Sequence, residues 1–156
     1  RLASILYKKC DATVRELDEA GSGLIEKITA EKDTIAAHYD ALDTHKAMRA
    51  IMDLADETNQ YIDQNAPWDL VKTDVEAAAK VCSTGLTALK HLATYLKPVI
   101  PTIVAGIEDF LNIAPLTWES LSDPLQPGHS INKYKHLAKR LELADVKALT
   151  LLTANK

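Results

Sequence analysis

Five histidines, two cysteines and two carboxylate pairs have the most chemistry to offer, and their spacing assigns none of them a reaction. His38, His45, His91, His129 and His136 hold no metal-ligand spacing with Cys10 or Cys82, so neither a zinc site nor any cofactor is predicted. Asp40 with Asp43, and Asp53 with Asp56, stand side by side on helix faces. A general acid and its base need a cleft that drives their pKa values apart, whereas pairs of this pattern usually face solvent. No glycine-rich phosphate loop is present, so no catalytic residue is assigned. The concentrated charge lies in Lys133, Lys135, Lys139 and Arg140. Such a cluster fits phosphate or an acidic partner surface, and equally a solvated final helix.

With 156 residues the chain is one domain of ordinary size, long enough to bury a core. At 47% apolar and 26% charged it is globular rather than disordered. No apolar run nears the roughly 20 residues that span a bilayer, and no basic stretch leads into an apolar one as in a secretory signal. A cytoplasmic protein with no membrane partner is expected. Cys10 and Cys82 fall on apolar helical stripes, which suits reduced core thiols. The net charge of −4 argues against gripping nucleic acid by bulk attraction. That charge is unevenly spread: residues 131–156 carry six basic and two acidic side chains, which leaves −8 on residues 1–130.

The elements that must position these residues are helices. Leu2, Leu6, Cys10, Thr13, Val14 and Leu17 recur on one face and predict a helix over 2–20, ended by Gly21-Ser22-Gly23. A second follows with Ile25, Ile28, Ile35, Tyr39 and Leu42 facing inward, and a third, capped at Asp43-Thr44, carries Met48, Ile51, Met52, Ala55 and Ile62. Ala66-Pro67 breaks it and starts a short segment through Lys72. The longest helix spans Asp74 to Leu96; Pro98 and Pro101 stop it and open another, with Ile103, Ile107 and Leu111 inward. Residues 1–111 thus hold the main helices, 112–132 an extended connector rich in proline, and 133–156 a basic segment with a last helix near Ala144–Thr153. Leu6, Leu17, Ile28, Met52, Ile62, Leu86, Leu89 and Leu96 are the expected core. The fold class is all-α, an antiparallel bundle of about five principal helices.

Four sequence islands then become specific. Asn59-Gln60-Tyr61-Ile62-Asp63-Gln64-Asn65-Ala66-Pro67-Trp68 resembles the segment of bacterial methionyl-tRNA synthetases in which a helix ends at Ala-Pro-Trp. Thr94-Tyr95-Leu96-Lys97-Pro98-Val99-Ile100-Pro101 is similar to that family's next helix end. Leu116-Thr117-Trp118 and Pro127-Gly128-His129-Ser130-Ile131-Asn132 fit its C-terminal connector. The islands keep one order and similar spacings over about residues 45–156. The resemblance implies an anticodon-binding helix bundle of the class I synthetase type. Nothing here resembles the His-Ile-Gly-His or Lys-Met-Ser-Lys-Ser signatures of the catalytic domain, so this stretch is expected to bind tRNA and to be no enzyme.

In the family, the tryptophan after Ala-Pro stacks on an anticodon base, and Trp68 holds that position. The other reading residues open the first helix as Asn-Leu-Ala-Ser-Arg. Here Leu2-Ala3-Ser4 matches, while Arg1 stands at the asparagine position and Ile5 at the arginine position. Ile5 offers no hydrogen bond and Arg1 cannot accept one. The resemblance therefore predicts weak binding to methionine tRNA with little anticodon preference, through Trp68, Arg1, Lys133, Lys135, Lys139 and Arg140. A helical wheel supplies the competing reading. Arg1, Ile5, Lys8, Ala12 and Glu16 cluster opposite the core face, as a repurposed or engineered scaffold presenting them to a protein partner would have it.

Overall fold

The computed structural model describes residues 1–137. The predicted last helix, Lys139 and Arg140 lie outside the described residues. Among those described, the chain is a helical bundle without a strand: α1 Leu2–Lys9, α2 Glu19–Ala30, α3 Lys32–Asp40, α4 Thr44–Asn65, α5 Pro67–Leu70, α6 Val75–Leu96 and α7 Pro101–Leu111, with a 3-10 turn at Trp118–Ser122. Helix α6 is the axis, and α1, α2, α4, α5, α7 and the 3-10 turn all pack on it.

The sequence explains why α6 tolerates this position. Its Asp74 carboxylate caps the first turn by accepting from the Ala77 N–H at 2.9 Å. Its middle is built from small residues, Ala78, Ala79, Ser83, Thr84, Gly85 and Ala88, so neighbouring backbones approach closely. A Cβ on Gly85 would sit 2.5 Å from Leu2 Cδ1 and 3.3 Å from Ile62 Cδ1, which marks where α1 and α4 close on the axis. Two buried hydroxyls bond back into the helix, Ser83 to the Ala79 carbonyl at 2.8 Å and Thr94 to that of Lys90 at 2.9 Å, while buried Thr87 Oγ1 has no partner among the described residues.

The first predicted helix is two pieces. Helix α1 stops at Lys9, Asp11 and Ala12 take positive φ, and the chain runs extended to Asp18. The cause lies far along the sequence. Val14 N–H donates to the His129 carbonyl at 2.9 Å, Gly128 N–H to that of Val14 at 2.8 Å, and Ile131 N–H to that of Ala12 at 2.9 Å. Arg15 N–H donates to Ser83 Oγ at 2.8 Å. These bonds replace the helical ladder. Gly21-Ser22-Gly23, predicted to end a helix, lies inside α2, which Asp18 caps by accepting from the Gly21 N–H at 2.7 Å. Gly21 is small because α2 rests there on Thr84 of α6.

The predicted second helix is also divided, at Glu31. Buried Tyr95 donates its hydroxyl to the Ile28 carbonyl at 2.7 Å, the acceptor that Lys32 N–H would use in an unbroken helix. Of the expected core, Leu6, Ile28 and Leu86 are buried, while Leu17, Ile62, Leu89 and Leu96 are half-buried. Met52 is 51% exposed, on the solvent side of α4, whose inward stripe is Ala47, Ile51, Leu54 and Thr58. Adjacent positions on a helix point about 100° apart, so Ile51 and Met52 cannot both face the core.

The connector is extended as predicted, save for the 3-10 turn, and polar residues of α6 and α7 fasten it. Lys90 Nζ donates to the carbonyls of Ser120, at 2.8 Å, and Asp123. Lys97 Nζ donates to the Leu116 carbonyl at 2.7 Å and pairs with Glu108 at 2.7 Å, while Glu108 accepts from the Leu116 N–H. His91 sets Nδ1 2.8 Å from the Thr87 carbonyl and Nε2 3.1 Å from that of Leu121.

Two outcomes follow for stability. Leu6→Ala should cost about 2–5 kcal/mol in urea unfolding. Met52→Ala, exposed, should change it by about 0.5 kcal/mol or less. Burial lowers the His91 pKa below its ordinary 6.5, and the Lys90 charge pushes the same way. The unfolded chain therefore takes up that proton first. The His91 contribution is full above about 6.5 and is lost as pH falls, by up to about 1.4 kcal/mol per pH unit. His91→Gln should flatten the acid limb of a stability-against-pH curve; an unchanged slope would assign that limb to other groups.

Candidate nucleic-acid interface

Trp68 owes its position to one backbone residue. Helix α4 ends at Ala66, which adopts the left-handed conformation at φ 38° and ψ 60°, and Pro67 begins α5 directly behind it. This tight reversal sets the indole half-exposed beside the start of α1. A groove of about 470 Å3 opens there. Arg1, Ser4, Ile5, Lys8 and Lys9 form one wall, and Trp68, Asp69, Val71 and Lys72 form the other.

The Arg1 guanidinium carbon lies 5.7 Å from the centroid of the Trp68 ring, within cation–π range. Ile5, expected on a wet face, is half-buried and packs against the core, so it supplies apolar floor. Four cations and one carboxylate line the groove, and the carboxylate, Asp69, has its Oδ1 held by Lys72 Nζ at 2.6 Å. The groove is thus cationic although the whole chain is acidic. It offers an aromatic ring, apolar floor and cations that suit phosphate.

A second cavity of about 560 Å3 adjoins the first, between α1, α4 and α6, with Arg1 and Lys8 lining both. Lys133 lies on its rim, which ties that part of the predicted basic cluster to Arg1; Lys135 is exposed. The competing protein-binding face is not assembled. Arg1, Ile5 and Lys8 share the α1 wall, but α1 has ended before Ala12 and Glu16, and Ala12 N–H and carbonyl are occupied by Leu6 and Ile131. The groove also contains Lys9, Asp69 and Lys72, which the sequence patterns did not single out. Their signal was the paired lysines of the first helix and the lysine one turn beyond Trp68.

The remaining candidates have structural roles. His91 anchors the connector, and His129 sets Nε2 2.6 Å from the Leu111 carbonyl. Cys10 and Cys82 are buried free thiols of one core cluster. Burial raises both, Cys82 to about 12, so neither is a thiolate near neutral pH. Asp43 pairs with Lys46 at 2.6 Å, which lowers its pKa, while Asp40, Asp53 and Asp56 are solvent-exposed. Among the described residues, no three His, Cys, Asp or Glu side chains are grouped to hold a metal ion. None of the described helices is long and apolar enough to cross a membrane. Trp118, in contrast to Trp68, packs against Tyr95 with ring centroids 5.5 Å apart.

Residues 13–150 match the family described as the anticodon binding domain of methionyl tRNA ligase. The chain belongs to this family. Its whole length aligns with the methionine–tRNA ligases of Burkholderia vietnamiensis, at 39% identity, and Azoarcus, at 40%. The domain spans 22% and 21% of their lengths. The fold of the domain matches the free form of Mycobacterium tuberculosis methionyl-tRNA synthetase, with a TM-score of 0.84 at 22% identity over 91% of this chain and 30% of that one. The same synthetase in complex with methionyl-adenylate gives 0.83 at 23% identity, over 90% of this chain and 29% of that chain. The bundle expected from the four sequence islands is therefore the bundle observed.

Proposed function

We propose that this anticodon-binding domain holds the anticodon loop of methionine tRNA in the groove between α1 and α5. The observation that carries the reading is the Arg1 guanidinium resting on Trp68 in an open, cationic groove. A half-exposed indole is a stacking platform for any base. Arg1 occupies that platform in the free domain. Its cation–π contact is worth about 0.5–1 kcal/mol at an exposed site, and a stacked base about 1–3 kcal/mol. A base therefore displaces the guanidinium, which turns to the phosphates with Lys8, Lys9 and Lys72. Lys133 and Lys135 extend the same field, and Lys139 and Arg140 follow them in sequence.

Stacking holds a base without naming it. The hydrogen bonds that read base edges belong to the positions now held by Arg1 and Ile5, and a good bidentate contact is worth about 1–3 kcal/mol of discrimination. The domain consequently binds weakly, with little anticodon preference, and releases RNA as salt rises because phosphate contacts release counterions. Ligation is not assigned to this chain, which corresponds to about a fifth of its relatives' length. Its ligand places it in the cytoplasm.

Titrations with methionine tRNA and an anticodon-swapped variant, at low and physiological salt, test this. Trp68→Ala should weaken binding roughly tenfold or more. The two RNAs should bind alike, and both should fade with salt. Unchanged affinity in Trp68→Ala would remove the site; a cognate preference that persists at physiological salt would restore edge reading by the altered first helix. Incubated with ATP, methionine and tRNA, the chain should form no aminoacyl product, and turnover by protein free of contaminating ligase would overturn that assignment.

A further inference from the structure

Of the four cations that line the Trp68 groove, two are already engaged in the RNA-free domain. Arg1 lies over the indole ring, and Lys72 Nζ stands 2.6 Å from Asp69 Oδ1. Among the described residues, Lys72 is the one groove cation paired with a carboxylate. A bound strand acts differently on the two engagements. A base that takes the ring replaces the guanidinium and frees Arg1 for a phosphate. A strand that draws Lys72 to a phosphate leaves the Asp69 carboxylate bare, one residue from the stacking platform. The backbone builds this arrangement. Lys72 N–H donates to the Asp69 carbonyl at 3.0 Å, so the turn that follows α5 keeps the two side chains within reach of each other. The pair is exposed, Lys72 at 71% and Asp69 at 64%, and such pairs stabilise a fold by at most about 1 kcal/mol. Its place in the groove, rather than its strength, gives it a consequence.

We propose that Asp69 is an electrostatic gate on the Trp68 groove, which withholds Lys72 from the RNA backbone and holds affinity below what the groove's cations would give. The proposal rests on the reading of the Trp68 groove given above and concerns how tightly that site keeps its strand. Cations bind a strand by displacing the counterions of its phosphates, so a lysine held by a carboxylate displaces one fewer. When Lys72 does leave, the bare carboxylate repels the neighbouring phosphates, and salt screens that repulsion. Asp69 thus lowers affinity in either state of the pair.

The test titrates a stem-loop RNA with a methionine anticodon, from low to physiological salt, against the unaltered chain, Asp69→Asn, Asp69→Glu and Trp68→Ala. Asp69→Asn should tighten binding roughly threefold to tenfold at low salt, with the gain shrinking as salt rises. The slope of log affinity against log salt should steepen by about 0.7, the share of one single-strand phosphate contact. Asp69→Glu keeps the charge and should keep the weaker affinity and the shallower slope. Lys72→Met should cost more affinity combined with Asp69→Asn than alone, because only there is the lysine free for phosphate. A carboxylate that merely supports α5 gives the opposite sign, since Asp69→Asn would then loosen the Trp68 platform and weaken binding. Unchanged or weaker binding by Asp69→Asn, with Trp68→Ala still weakening it, overturns the gate and leaves the groove. Additive effects of Asp69→Asn and Lys72→Met also overturn the gate. No effect of Trp68→Ala overturns the groove, and the gate with it.

Discussion

A helix surrounded on nearly every side has nowhere to send its polar groups, and α6 carries several. The hydroxyls of Ser83 and Thr94 return to the helix's own carbonyls. The polar ends of Lys90 and His91 reach beyond the helix surface, although His91 Nδ1 also lies 2.8 Å from the Thr87 carbonyl of the same helix. Each is buried and holds its pKa low through desolvation, so each must find acceptors close by. The acceptors are carbonyls of residues 120–123. The need to satisfy buried donors on one helix thus helps fasten a connector that also buries Leu116, Leu121, Leu125 and Ile131. The fastened connector then pairs with residues 12–14 and ends α1.

That chain of consequences reaches the candidate interface. Helix α1 packs against α5 and brings Arg1 onto Trp68. A helix continuing to residue 20 would have kept Ala12 and Glu16 on the same face as Ile5, and the face would have been long and mixed in charge. The short helix instead leaves a compact wall with Arg1, Lys8 and Lys9. Net charge is a poor guide to such a surface. Salt screens exposed charges beyond about 10 Å at 0.1 M, so the cations lining the groove decide what enters it more than distant carboxylates do.

The same wall separates affinity from reading. Arg1 and Ile5 supply charge and apolar floor at the positions where the family's pattern places asparagine and arginine. A ring, a floor and cations attract any unstacked strand, whereas discrimination needs donors and acceptors at set distances from base edges. A carboxylate is available in Asp69, but Lys72 engages it at 2.6 Å. In the proposed reading RNA is held by the ring, the floor and the cations, and neither Arg1 nor Ile5 offers an acceptor to a base edge.

Local patterns in the sequence determined the helices α4, α6 and α7, the break at Ala66-Pro67, the extended connector and the family. These features depend on periodicity, proline and short motifs, all of which act within a few residues. The burial of Leu6, Ile28 and Leu86 was legible for the same reason, and the family's motifs pointed to Trp68 and Arg1, which the fold sets 5.7 Å apart. Tertiary structure alone decided where α1 ends, because the bonds that end it come from residues 128–131, more than a hundred positions away. It decided the break between α2 and α3, where a hydroxyl from α6 takes the Ile28 carbonyl. It also brought Lys9, Asp69 and Lys72 together with Arg1 and Trp68. Hydrogen bonds and charges between distant segments leave no period in a sequence, and only the packed chain puts them within reach of one another.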